Sequence, residues 1–115
     1  MLLKMLDEGA IVSEAHYNDA KSLLSACRDS LSDIFGHCHV LITASATGEA
    51  PNGLQSTGNP VMNRVWTALH TPCVSVPAAN GPNGLPVGLQ IIGRHGDDAR
   101  MLACAEWIDR QLGSS

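Results

Sequence analysis

Apolar residues recur three and four positions apart over two long stretches of the chain. Ala20, Leu23, Leu24, Cys27, Leu31, Ile34 and Phe35 trace the first stripe. That spacing is the signature of a helix that buries one face. Ser13 stands ahead of it as an N-cap, and Gly36 closes it. Asp19, Lys21, Arg28, Asp29 and Asp33 fall on the opposite, solvated face. Met101, Leu102, Ala105, Ile108 and Leu112 trace the second stripe, begun by Asp97 or Asp98 and followed by Gly113. Before both, Met1 to Leu6 reads as the tail of a helix whose start is cut away, with Gly9 as its stop.

Between the two helices the pattern changes. His39-Val40-Leu41-Ile42-Thr43 is apolar without alternation, which predicts a strand covered on both faces. Residues 44–60 hold Gly48, Pro51, Asn52, Gly53, Gly58 and Pro60, which predicts a long loop, of a length that is usually functional or disordered. Residues 61–69 allow two helical turns with Val61, Val65 and Leu69 on one side, stopped by Pro72. Cys73-Val74-Ser75-Val76 alternates on the period of two. Asn80-Gly81 and Asn83-Gly84 then mark a turn. Residues 85–92 form the next strand, with Val87, Leu89 and Ile91 on one face and Gly88, Gln90 and Ile92 on the other. Pro86 belongs at its start or on an edge. The order predicts an α/β fold, a partial mixed sheet of about three strands with flanking helices, in one unit spanning residues 1–115.

Composition fits this reading. The 115 residues are 44% hydrophobic and 16% charged, ordinary globular material. The net charge of −4 is spread without a basic patch, which argues against direct nucleic-acid binding. No apolar run is long enough for a membrane span, and the N-terminal stretch is too short for a signal peptide. A cytoplasmic location is the expectation. Cys27, Cys38, Cys73 and Cys104 form no C-x-x-C pair and sit among apolar residues, so buried, reduced thiols are expected. His37-Cys38-His39 places two imidazoles on one strand face without a third ligand nearby, a poor zinc site. No metal is expected. Gln90, mid-strand among apolar residues, must find partners for its amide, and fixing a loop backbone is the expected role.

Three segments carry a resemblance. Residues 38–51 read C-H-V-L-I-T-A-S-A-T-G-E-A-P, residues 59–77 N-P-V-M-N-R-V-W-T-A-L-H-T-P-C-V-S-V-P, and residues 84–98 G-L-P-V-G-L-Q-I-I-G-R-H-G-D-D. Together, in this order and spacing, they resemble the amidase-signature family. The last segment is the most specific. His39 stands where that family usually has Asp, and Ala44 where it usually has Pro.

The resemblance implies a C-terminal piece of the larger amidase-signature fold. Members hydrolyse or transfer carboxamides, giving acid and ammonia, with a Ser-Ser-Lys core in a Gly/Ser-rich segment and no cofactor. Lys4 and Lys21 are the only lysines here, and no Gly-Gly-Ser-Ser run is present. No catalytic residue is therefore carried over, and the chain alone is expected to be inactive. Asn63, Trp66 and Thr67 are the candidate wall of a pocket whose small-molecule amide substrate binds only in a full-length parent. The alternatives are a parent amidotransferase, which releases ammonia from glutamine for misacylated tRNA, or a non-catalytic module. Strands cut from a larger sheet leave unpaired edges, so self-association, as a dimer, is expected of the isolated chain.

Overall fold

A computed structural model describes residues 2–113, the side chain of Leu2 excepted. Met1, part of the first helical reading, lies outside the described residues. The element order is α1 (Leu2–Ala10), α2 (Glu14–Ile34), β1 (Leu41–Ala44), α3 (Val61–Ala68), β2 (Cys73–Asn80), β3 (Pro86–Ile92) and α4 (Asp98–Leu112). No described helix is long and apolar enough to cross a membrane.

Local chemistry accounts for most element ends. Ser13 has extended backbone, and its hydroxyl accepts from the His16 N–H at 3.2 Å, so it caps α2 as its residue type predicts. Gly36 N–H closes the other end on Ser32 and Asp33 carbonyls at 3.1 and 3.0 Å. Gly9, in contrast, does not stop α1. It stays out of the left-handed region and the helix runs on to Ala10, since a helical glycine costs only about 1 kcal/mol. Asp97 precedes α4 without a side-chain cap bond and pairs instead with Arg100 Nε at 2.9 Å.

The sheet has the order β1-β3-β2. Both pairings are antiparallel, so these three strands form no mixed sheet by themselves. β3 is the central strand, and Pro86, which has no N–H to donate, stands at its first position. The register aligns Thr43, Gln90 and Ser75 across the sheet, and likewise Ala44, Leu89 and Val76. Residues in such a row share a face.

α4 covers one face. Val76, Ile91, Met101, Ala105 and Ile108 form its core, with Val40, Val74 and Leu89 packed against it. On the other face, Leu31 and Phe35 from the end of α2 meet Leu69 and Ile92, with Trp66 and Leu41 at the margin. Ile91 and Ile92 are fully buried, one on each side.

Several burial expectations fail, for a common reason: there is too little chain to cover the apolar surface. α4 lies over β2 and β3, so Ile42 of β1 is 54% exposed and that strand is not covered on both faces. In α2 only Leu31 and Phe35 of the predicted stripe are buried; Leu23 and Ile34 face solvent. α3 is rotated relative to expectation. Met62, Trp66 and Leu69 turn inward while Val61 and Val65 are exposed. On α4, Leu102 is exposed beside the buried Met101. All four cysteines are free, but Cys27 and Cys73 are exposed and the other two only partly covered. The radius of gyration is 17.0 Å, against about 13 Å for a compact domain of this length.

Candidate functional site

The row Thr43, Gln90, Ser75 belongs to the face that α2 and α3 cover only in part, and the next row holds Ser45 opposite Gly88. Ser45 N–H donates to the Gly88 carbonyl at 2.9 Å, which continues the β1–β3 pairing by one residue. Gly88 is the reason the site exists. A Cβ there would collide with Ser75 Oγ and come within 2.8 Å of Ser45 Oγ. Without it, hydroxyls from the two outer strands meet across the central one at 2.5 Å.

α3 brings Asn63 onto this surface. Its Nδ2 donates to the Ser45 carbonyl at 3.2 Å, and its Oδ1 accepts from Gln90 Nε2 at 2.8 Å. The two bonds fix both amide orientations. A carbonyl only accepts, so Asn63 must turn its nitrogen to Ser45 and its oxygen to Gln90, and Gln90 must then present nitrogen. Gln90 is 6% exposed, and its Oε1 is buried with no protein partner. Gln90 thus reaches a side chain, not the loop backbone expected of it; Asn63 makes the backbone contact in its place.

Beside this network lies a cleft of about 560 Å³ between the 46–51 and 57–60 stretches of the loop, Asn63, and residues 86–88. Glu49 shapes it. Its carboxylate accepts from Asn83 N–H at 2.9 Å, Asn83 Nδ2 at 2.6 Å and Leu85 N–H at 2.9 Å, and so ties the long loop to the β2–β3 turn. Desolvation pushes the Glu49 carboxyl up, but the bonds from the Asn83 side chain and the Leu85 and Asn83 backbones outweigh it and hold the pKa below the ordinary value.

The three predicted pocket residues separate. Asn63 lines the cleft. Thr67, one turn further on, commits its hydroxyl to the Asn63 carbonyl at 3.2 Å. Trp66 lies outside the cleft lining and packs on the Leu31, Phe35, Leu69 and Ile92 cluster. Ser45, Ser75 and Glu49 were not found from the sequence. Gly88 was the one available signal, since an interior strand glycine often marks a close approach.

Chemically, the network offers hydroxyls and one acceptor without a partner, Gln90 Oε1. Glu49 is the one carboxylate, histidine or lysine lining the cleft, and both its oxygens are engaged. A serine needs an adjacent base to become a nucleophile. With both Glu49 oxygens engaged, the cleft lining offers no free base. Among the described residues no group of three or more His, Cys, Asp or Glu side chains is placed to hold a metal ion.

Known proteins give this geometry a context. The sequence model of the amidase family matches residues 2–102. A glutamyl-tRNA(Gln) amidotransferase subunit of Ralstonia nicotianae is 34% identical over 99 residues, covering 80% of this chain and 20% of that protein. The corresponding mitochondrial glutamyl-tRNA(Gln) amidotransferase subunit of Xenopus tropicalis is 30% identical over 112 residues, 89% of this chain and 21% of that protein. In structure, an amidase crystal structure superposes with a TM-score of 0.75 at 26% identity, covering 95% of this chain and 28% of that one. A bacterial aryl acylamidase of the amidase-signature family shares the fold, with a TM-score of 0.66 at 24% identity over 89% of this chain and 24% of that one. The chain spans about a fifth of the length of the curated relatives it matches. On the family match and the shared fold, the chain belongs to the amidase family.

Proposed function

We propose that the chain is the C-terminal structural segment of an amidase that hydrolyses carboxamides to acid and ammonia. In that role it completes the sheet and supplies one wall of the substrate pocket, with Asn63 as its polar contact and Trp66 and Thr67 holding α3 in place. The observation that carries this reading is the match to the amidase family over residues 2–102, with Asn63 lining the loop cleft. The Ser-Ser-Lys chemistry belongs to the portion outside this chain, which is inactive by itself. Reading the transcript upstream of the Met1 codon tests this. A Gly/Ser-rich segment in frame, with a lysine and two serines, supports it. An in-frame stop codon just ahead of Met1 contradicts it and leaves a non-catalytic module.

A second parent is favoured by the sequence relatives, which are amidotransferase subunits. Such a parent releases ammonia from glutamine for misacylated tRNA, and a preference for glutamine over simple amides separates it from the first. A cytoplasmic setting is part of either reading, supported by four cysteines that are all free.

The isolated chain, in this reading, pairs with a second copy. β1 and β2 each leave an outer edge unpaired. Beside the β1 edge, an apolar groove lined by Val40, Ile42, Ala103 and Trp107 is open, with Trp107 64% exposed. Twofold closure over this groove is the simplest cover. Sedimentation velocity over a hundredfold concentration range checks it: a dimer supports the pairing, and a single monomer throughout contradicts it.

A further inference from the structure

On the α2 side of the sheet, sharing no lining residue with the loop cleft, lies a pocket of about 400 Å³. Arg28 and Ser32 of α2, His70 after α3, and Arg94 and His95 after β3 line it, with Asp29 at its side. Four basic side chains thus converge from three separate parts of a chain whose net charge is −4.

Three of the four are held by backbone carbonyls, and His70 by Arg28. Arg28 Nη2 donates to the Ala68 carbonyl at 2.7 Å, at the end of α3, and lies 3.1 Å from His70 Nε2. A guanidinium only donates, so His70 Nε2 accepts there and the proton of the neutral ring sits on Nδ1. His95 Nδ1 donates to the His70 carbonyl at 2.7 Å, which leaves its Nε2 free. Arg94 Nη2 reaches the Ser32 carbonyl at 3.4 Å. His70 itself has φ 58, a left-handed backbone that non-glycine residues adopt at a cost. That strain sets its carbonyl against His95 and its ring against Arg28.

None of this neutralises charge. The ion pairs of the described residues use Lys4, Arg100 and Arg110; Arg28 and Arg94 are in none of them. Asp29 lines the pocket without pairing with either. Arg28 Nε is also buried and has no hydrogen-bond partner. Two anchored guanidiniums with spare donors, both without a counter-ion, in one pocket fit a planar or tetrahedral oxyanion.

We propose that this pocket binds a small oxyanion, a carboxylate or a phosphate, between the guanidiniums of Arg28 and Arg94, with the His70 and His95 rings beside it. The test titrates the protein separately with inorganic phosphate, with acetate, and with chloride at matched ionic strength. The readout is the NMR signals of the His70 and His95 ring protons. Saturable shifts with phosphate or acetate, absent with chloride, are expected; whichever anion saturates at lower concentration identifies the source. Arg94→Gln should weaken binding by roughly tenfold or more, as loss of a charge-assisted bond implies. Asp29→Asn should tighten it by roughly twofold to fivefold, since a nearby like charge is removed. Equal shifts with chloride, no saturation, or an unchanged affinity in Asp29→Asn would overturn the proposal. The Asp29 variant decides the matter should Arg94→Gln fail to fold.

Discussion

Gln90 and Asn63, 27 residues apart, are joined through their side-chain amides at 2.8 Å, and this bond ties α3 to the central strand of the sheet. It also determines which Gln90 atom is left over. The oxygen without a partner is a consequence of Asn63 being committed to the Ser45 carbonyl.

Removing Asn63 should therefore cost more than one hydrogen bond. Asn63→Ala leaves both ends of the Gln90 amide unsatisfied in a buried position, worth about 1–3 kcal/mol. The double variant Asn63→Ala with Gln90→Met, which removes the stranded amide, should recover part of that loss. Urea denaturation of the three proteins measures it; a double variant less stable than Asn63→Ala contradicts the account.

Gly88 makes a sharper case. A methyl group there meets Ser75 Oγ and Ser45 Oγ, so Gly88→Ala should destabilise by roughly 1–3 kcal/mol through overpacking. Adding Ser75→Ala should relieve part of it. If Gly88→Ala melts within a degree of the parent, the close approach of the serines is not as described.

The uneven cover of the α4 face predicts a contrast between two residues on that face. Leu89→Asp puts an unpaired charge on the central strand against the α4 core and should cost about 3 kcal/mol or more. Ile42→Asp on the edge strand, 54% exposed, should stay within about 1 kcal/mol. Thermal melts of the two variants should differ widely; equal effects would mean that α4 does not leave β1 open.

These contrasts mark how far the sequence could be read. The period-of-two alternation placed the two faces of β3 correctly, because register alone decides them. The caps at Ser13 and Gly36 were legible because they act within four residues. The side of α3 that turns inward was not. Val61 and Val65 fit a helical stripe as well as Met62, Trp66 and Leu69 do, and only the position of Phe35 and Ile92 decides between them. The α2 stripe was read as buried because periodicity reports a face, not whether anything covers it. Asn63 was singled out by resemblance, but its bond to Gln90 depends on how α3 crosses the sheet. Glu49 gave no signal at all, since its partners Asn83 and Leu85 lie more than thirty residues away.

Glu49 should make the loop pH-sensitive. Its folded pKa lies below the ordinary value of 4.5, so its contribution is fully present above that value and disappears as the pH falls through the folded one. The Asn83 and Leu85 N–H signals in NMR should hold constant from neutral pH down to the ordinary carboxylate range and move only below it. Glu49→Gln should remove the transition. A transition above the ordinary value would contradict the clamp.

As proposed above, this chain is one structural part of an amidase and does not turn over substrate alone. Ammonia release by the pure chain, measured with simple carboxamides and with glutamine, decides between this proposal and an active chain. No turnover above the uncatalysed rate is the predicted result. Turnover abolished by a serine-directed inactivator would contradict it, because it would place an activated serine in a chain whose two site serines have no base beside them.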